Sequence, residues 1–566
     1  MRISWNINPV SLCLLASLYI ATALNLGFWE KIGEIYKTGN SLSLGVLMTA
    51  PVVLTALLNI LLLPLSARRI IKPVLGFIII TAALFNYGMY HYGVIFDDNM
   101  FTNIAQTDMG ESRSYLNLSF ALQILLTGVL PLALLAFLPV QKLTFKKAVW
   151  QRGLSAVLSV MLVMGVAATH FDDYAAIGRN NKVLRKTINP AYPYKQAYKY
   201  IHNAYFNAEL PYRQLATDVR RSGEERPPRL VIMVLGETQR GMNYSLNGYE
   251  RKTNPYTAAI EKVTSFRHVR SYGTATAISV PYMFSLSRED DYNADTEESQ
   301  DNVMDALGRS GTETLWLDND SGCKGVCKNT GLRNLRKEYA EDKTLCPYND
   351  SCYDGVFLDA LGKILEKPIE KDTVITMHLM GSHGPSYWQR YPDAFRVFSP
   401  DCPQSDIQNC DRQALVNTYD NTIVYSDYVL SQLIEMLQTR QPQTDSSLIF
   451  MSDHGESLGE KGIYLHGLPR SIAPDEQRHV PFLVWMSESL RSRDGVDSKC
   501  LAALAADTAI DNASLSHLLL GMFGLSTATY DKKRDYIAPC RSGRRQTKTF
   551  QYQKTIGQPP RPVTVH

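Results

Sequence analysis

Long apolar runs crowd the first third of the chain and then stop. Five follow one another, over residues 9–29, 44–65, 71–96, 118–140 and 148–169. Each supplies the roughly 20 residues that cross ~30 Å of hydrocarbon. Five in series exceed what a cleaved signal peptide explains, so the pattern predicts a five-helix transmembrane domain over residues 1–169. The stretch 170–228 is rich in tyrosine and arginine, with Tyr192, Tyr194, Tyr198, Tyr200, Tyr205 and Tyr212. Such side chains suit the headgroup layer, and short interfacial connecting helices are expected there. Over residues 229–566 short β-rich runs alternate with helical stretches. LVIMVL at 230–235 is continuously apolar, as a buried parallel strand should be. Residues 314–317, 373–379 and 447–451 look alike, and helical patterns at 301–309 and 415–437 separate them. Strands alternating with helices predict an α/β domain with a mostly parallel central sheet.

Charge gives the helices a direction. Arg2, then Arg68, Arg69 and Lys72, then Lys142, Lys146, Lys147 and Arg152 mark the sides expected to face the cytoplasm. The third loop is acidic, with Asp97, Asp98, Asp108 and Glu111 against Arg113. Five crossings from a cytoplasmic N-terminus place everything after about residue 170 outside. The cysteines lead to the same place. Cys13 sits alone in an apolar run, where an inert, unpaired thiol is expected. The other eight fall as Cys323 and Cys327, Cys346 and Cys352, Cys402 and Cys410, Cys500 and Cys540. Metal ligation or reduced thiols are alternatives, but these gaps lack the paired CxxC spacing of zinc ribbons. We read four disulfides and an oxidising compartment. A net charge of only +3, without a basic tract, gives no case for nucleic acid.

Candidate chemistry directly follows the predicted strands. Glu237 comes after the first run, Gly381-Ser382-His383-Gly384 after the third, and Asp453-His454-Gly455-Glu456 after the fourth. Ligand sites of open α/β sheets form beyond the carboxyl ends of the strands, so three distant motifs can converge. Glu237, Asp453 and His454 form an oxygen and nitrogen set that suits zinc. A surface turn or an N-cap accounts for any one of them alone, but less easily for all three. The turn Gly273-Thr274-Ala275-Thr276, followed by Val280-Pro281, suggests a hydroxyl at a helix N-terminus. That is a favourable place for phosphate, although such a turn is often only a cap.

Four strings carry a resemblance: GETQRGMNYSLNGYERKTNP at 236–255, DNDSGCKGVC at 318–327, MGSHGPSYWQRYP at 380–392 and SDHGESLGEKGIYLHGLP at 452–469. Together they resemble the lipid A phosphoethanolamine transferases, which include the mobile colistin-resistance enzymes. The resemblance covers essentially the whole chain. It implies an alkaline-phosphatase and sulfatase-like outer domain, placed in the periplasm of an inner-membrane, multi-pass protein. Zinc ligands would be Glu237, Thr276, Asp453 and His454, with Thr276 the nucleophile. His383 and His466 would bind the phosphoryl group or a second zinc and move protons. Asp320, Lys324 and Glu456, and less directly Asn103, Gln106 and Thr107, would contact substrate. Phosphatidylethanolamine would be the donor, lipid A phosphate the acceptor, and a covalent phosphoethanolamine-threonine the intermediate. Polymyxin resistance would follow from the lower surface charge, and the enzyme is expected to act as a monomer.

The chain departs from the family at one place. Members often carry cysteines flanking the nucleophile turn, where Tyr272 and Tyr282 stand here. Packing of the two rings is the expected substitute. Transfer onto Kdo or heptose of the core, a phosphoglycerol transferase, or a sulfatase-like hydrolase are neighbouring readings. The sulfatase CxPxR context is missing. A non-catalytic membrane-anchored sensor would show a broken ligand set, and the set is intact.

Overall fold

Apolar length and local capping shape the membrane region. In a computed structural model, residues 6–541 are described apart from 38–43, 108, 182, 207–209, 222–225, 349–350 and 441–442. Arg2 and Asp108 therefore lie outside the described residues, as does the side chain of Glu111. Helix α1 (Pro9–Ala23) starts with Asn8 accepting from Val10 N and with proline in its first turn. The expected first crossing is not one straight helix. It bends by 53° into α2 (Leu26–Lys37). Asn25 makes the bend, donating to Ile20 O at 2.7 Å and to Asn189 O at 2.8 Å, while Leu26 N donates to Asn86 Oδ1 at 2.9 Å. Then follow α3 (Leu44–Leu62), α4 (Ile71–His91) and the short α5 (Asp98–Gln106). Next come α6 (Leu118–Phe137, with a π turn at Leu125–Val129) and α7 (Phe145–Asn180). Among the described residues four helices are long and apolar enough to span a membrane, or five spans if the bent pair counts as one. The last runs past residue 169 to Asn180, broken only by non-helical backbone at His170. In the tyrosine-rich stretch, α8 (Ala191–Phe206) exposes Tyr198, Ile201, Tyr205 and Phe206. Cys13 is buried and unpaired.

The α/β domain is built on strands β1 (Arg229–Gly236), β2 (Thr264–Phe266), β3 (Glu313–Asp318), β4 (Gly331–Asn334), β5 (Thr373–His378), β6 (Asp445–Ser452) and β9 (Phe482–Met486). A separate hairpin pairs β7 (Ser457–Glu460) with β8 (Ile463–Leu465). The seven-stranded sheet runs β2-β9-β6-β1-β5-β3-β4. Its neighbours are parallel except at β9, which is antiparallel to both β6 and β2. Alternation along β1 fills two cores. Leu230, Ile232 and Val234 pack with Phe357, Tyr419 and Leu433 on one face. Val231, Met233 and Leu235 pack with Phe284, Leu307 and Leu519 on the other. Register then places the strand exits together: Leu235 is opposite His378, Gly236 opposite Ser452, and Asp318 opposite His378.

All four expected disulfides are formed. Cys500–Cys540 closes the longest loop, with a sequence separation of 40. Chain entropy assigns such a closure about 4 kcal/mol. Replacing both cysteines by alanine should lower unfolding stability by about that amount, measured by denaturant titration of the purified protein. An unchanged midpoint would refute it.

Candidate active site

Backbone strain and close packing fix the exit of β1. Thr238 has φ +54°, and Tyr419 Oη donates to its carbonyl at 2.6 Å. Such conformations persist where the surroundings enforce them. Gly381 approaches the same segment: a Cβ there would lie 2.7 Å from Glu237 O. Only glycine permits that approach, and its φ of +52° points the same way. The buried carboxylate of Asp354 pins the loop, accepting from Met380 N at 2.8 Å, Gly381 N at 2.9 Å and Asn319 Nδ2 at 2.8 Å.

Thr276 opens helix α9 (Thr276–Phe284). Its Oγ1 donates to Glu237 Oε1 and Oε2, both at 3.0 Å, and lies 3.3 Å from His454 Nε2. His454 Nε2 is also 3.3 Å from Asp453 Oδ2. Further contacts close a ring. The His454 and His466 rings are 4.5 Å apart, and the His466 and His383 rings 5.8 Å. His383 Nδ1 is 3.9 Å from Asp320 Oδ1. His378 Nε2 lies 3.8 Å from Asp320 Oδ2 and 3.5 Å from Glu237 Oε2. Glu456, fully buried, holds its carboxylate 3.4 Å from His466 Nδ1. Nine residues, from the exits of β1, β3, β5, β6 and β8 and from one helix start, thus meet in one buried cluster.

Asn103, Gln106 and Thr107 lie elsewhere, on α5 and its end, where Thr107 Oγ1 donates to Asn103 O at 2.9 Å. Lys324 Nζ donates to Gln106 O at 3.4 Å, and α5 itself packs against the helix that Thr276 opens. His378 is the residue that sequence reasoning missed. It ends β5 inside an apolar run and therefore reads as core. Its Nδ1 faces Asp318 Oδ1 at 3.1 Å, which leaves Nε2 aimed at Glu237 and Asp320 without a hydrogen-bond partner.

The electrostatics reflect crowded carboxylates. Burial raises the Asp453 pKa, and Glu237 beside it raises it further. For Glu237 burial opposes ionisation, but the nearby imidazoles of His378 and His454 outweigh it and hold the carboxyl low. Burial likewise opposes charge on both imidazoles. Asp318 and Glu237 overcome it at His378, and Asp453 and Glu237 at His454, so both are raised. Protons on the imidazoles balance buried negative charge that a dication would balance equally well. Among the described residues two groups have the spacing to hold one: Glu237, Asp453 and His454, and Glu237, Asp320 and His378. Asp453 Oδ2 and His378 Nε2 are buried without hydrogen-bond partners, as metal-facing atoms would be. His378→Ala should reduce metal retention or turnover about 10- to 100-fold, as loss of supporting ligands does. Metal content per protein and wild-type-like rates in that variant would overturn this role.

The turn before Thr276 is held by rings and by the chain after His466. Tyr272 and Tyr282 stack at 4.0 Å with an interplanar angle of 20°. Tyr292 abuts both edge-on, and Arg470 Cζ sits 4.2 Å over the Tyr272 ring. Gly467 N donates to Thr274 O at 2.7 Å, and Thr274 Oγ1 donates to Leu468 O at 2.6 Å.

Comparison with known proteins fits this architecture. The family described as phosphoethanolamine transferase EptA/EptB matches residues 54–205, and the sulfatase family matches residues 229–525. Phosphoethanolamine transferase EptA of Escherichia coli K12 is 37% identical over 541 residues, covering 95% of this chain and 98% of its own. Phosphatidylethanolamine transferase Mcr-1 of Escherichia coli is 36% identical, covering 94% of this chain and 97% of its own. The solved integral membrane lipooligosaccharide phosphoethanolamine transferase A (EptA) from Neisseria meningitidis superposes with a TM-score of 0.89 at 35% identity, covering 94% of this chain and 98% of its own. Similar along almost its whole length to these enzymes, the chain belongs to the phosphoethanolamine transferase family.

Proposed function

We propose that the protein transfers phosphoethanolamine from phosphatidylethanolamine to a phosphate of lipid A, by way of a covalent intermediate on Thr276. The observation that carries this reading is the Thr276 hydroxyl, buried at a helix N-terminus and hydrogen-bonded to Glu237 beside His454. Glu237, Thr276, Asp453 and His454 would hold zinc, a buried oxygen and nitrogen set with an unpartnered carboxylate oxygen. Zinc held there supplies positive charge that favours the alkoxide form of a coordinated hydroxyl.

Thr276 Oγ1 attacks the donor phosphorus. A bond forms between Oγ1 and phosphorus, and the phosphorus–oxygen bond to diacylglycerol breaks. The leaving oxygen takes one proton, which replaces the proton lost from Thr276. We assign this transfer to His466: Glu456 engages its Nδ1, its ring lies 4.5 Å from that of His454, and Nε2 would carry the proton. A monoprotonated lipid A phosphate then attacks the same phosphorus. Its proton returns to Thr276 as the Oγ1–phosphorus bond breaks. His383, beside Asp320, would flank this exchange, and Lys324, whose Nζ donates to Gln106 O and Ser321 O, would offer its ammonium to the acceptor phosphate. The transferred unit is itself a zwitterion, but it blocks the second ionisation of the acceptor phosphate, which otherwise carries about −1.5 to −2 at neutral pH, so net negative surface charge falls and cationic polymyxins bind less well. The catalytic domain would lie in the periplasm against the outer face of the inner membrane. There Asn103, Gln106 and Thr107 would meet lipid headgroups.

The test uses purified full-length protein mixed with phosphatidylethanolamine and no acceptor. Release of one diacylglycerol per protein, with one phosphoethanolamine unit on the peptide that contains Thr276, is expected. Diacylglycerol release without an adduct would contradict the covalent route.

A further inference from the structure

We infer that the membrane region positions His466 through two contacts that flank it, made by the chain just after α4 and by the first turn of α5. This rests on the reading of His466 as the proton carrier. His466 follows hairpin β7–β8, between Leu465, strained at φ +61°, and Gly467, whose φ of +87° suits glycine. A non-glycine residue holds such a conformation only where its surroundings enforce it. On one flank Tyr464 N donates to Tyr92 O at 3.1 Å. There the two backbones adjoin: a Cβ on Gly93 would lie in van der Waals contact with Gly462 O, at 3.4 Å. Tyr87 and Tyr92 share a hydrophobic cluster with Leu458, Leu465 and Tyr387 of the α/β domain. On the other flank the Met100 methyl occupies the space that a side chain at residue 467 would need. Met100 is buried, and α5 is set in place by Asp97, whose Oδ1 accepts from Met100 N at 3.0 Å.

The two contacts bracket His466 at residues 464 and 467, and neither touches the reacting groups. The same segment is tied onward to the nucleophile turn through Gly467 N and Thr274 O. Met100 and Gly93 are therefore positioning residues: they act on the proton-transfer step through His466. The membrane region does more than bring lipid to the enzyme. It completes the active-site geometry.

The experiment measures kcat and KM for both lipids with the full-length protein in detergent. Met100→Ala is expected to lower kcat about 10- to 100-fold, the scale set by small misplacements of a reacting group, with both KM values unchanged. Met100→Leu should restore most of the rate. In a His466→Ala background Met100→Ala should add no further loss, because the group it positions is gone. Gly93→Ala, strained at φ +69° but retaining Met100, tests the other flank and decides the matter if Met100→Ala fails to fold. Wild-type kcat in Met100→Ala and Gly93→Ala, a change confined to KM, or losses additive with His466→Ala would overturn the inference. A silent His466→Ala would instead remove the proton-carrier reading itself, and this inference with it.

Discussion

Thr276→Ala should leave the protein folded and abolish transfer, by roughly 10⁴-fold or more, as loss of a covalent nucleophile does. The structural cost is small. Thr276 is the first residue of its helix and not its cap, a role held by Ala275. The turn keeps its stacked tyrosines and its bonds to Gly467 and Leu468. What is lost is the oxygen that sits 3.0 Å from both oxygens of Glu237. Thr276→Ser retains that oxygen and should retain partial activity. Transfer by Thr276→Ala near the wild-type rate would remove Thr276 as nucleophile, and an unfolded variant would show as a lowered thermal midpoint.

Chelation should be nearly as damaging, and in two ways at once. Without a cation, buried Glu237 and Asp453 are balanced only by protons on His454 and His378. Activity should disappear. The folded state should also lose about 4 kcal/mol if metal had been present at a thousandfold excess over Kd. Re-adding zinc should restore both rate and thermal midpoint. Full activity after exhaustive chelation, with metal analysis confirming its removal, would contradict a metal centre at these residues.

Much of this arrangement is readable along the chain, for physical reasons. Continuous apolar runs ending in Gly236, His378 and Ser452 mark strands buried on both faces, and the chemistry follows at their ends. That is why Glu237, His383, Asp453 and His454 stand out before any fold is known. Three cysteine pairs read equally well, because short gaps leave few partners within reach, and Cys500 and Cys540 then remain for each other. Other features resist. FLVWM at Phe482–Met486 is apolar enough for a strand, but a short run carries no sign of direction, and β9 runs against its neighbours. The bend at Asn25 depends on Asn86 and Asn189, which no local pattern connects to it. His378 hides because a histidine within TVITMH resembles a core position. The one available signal is its place at a strand's carboxyl end, directly before the Gly381–Gly384 loop. Likewise Met100 reads as an ordinary apolar residue of a short amphipathic helix, and its meaning comes only from Gly467 opposite.

The central claim is that this chain modifies lipid A through Thr276. The most direct measurement is mass spectrometry of lipid A from cells expressing the intact protein, beside cells expressing Thr276→Ala at equal levels. Lipid A should gain one phosphoethanolamine unit only with the intact protein. Lipid A left unmodified by the intact protein, or modified equally by the variant, would contradict it.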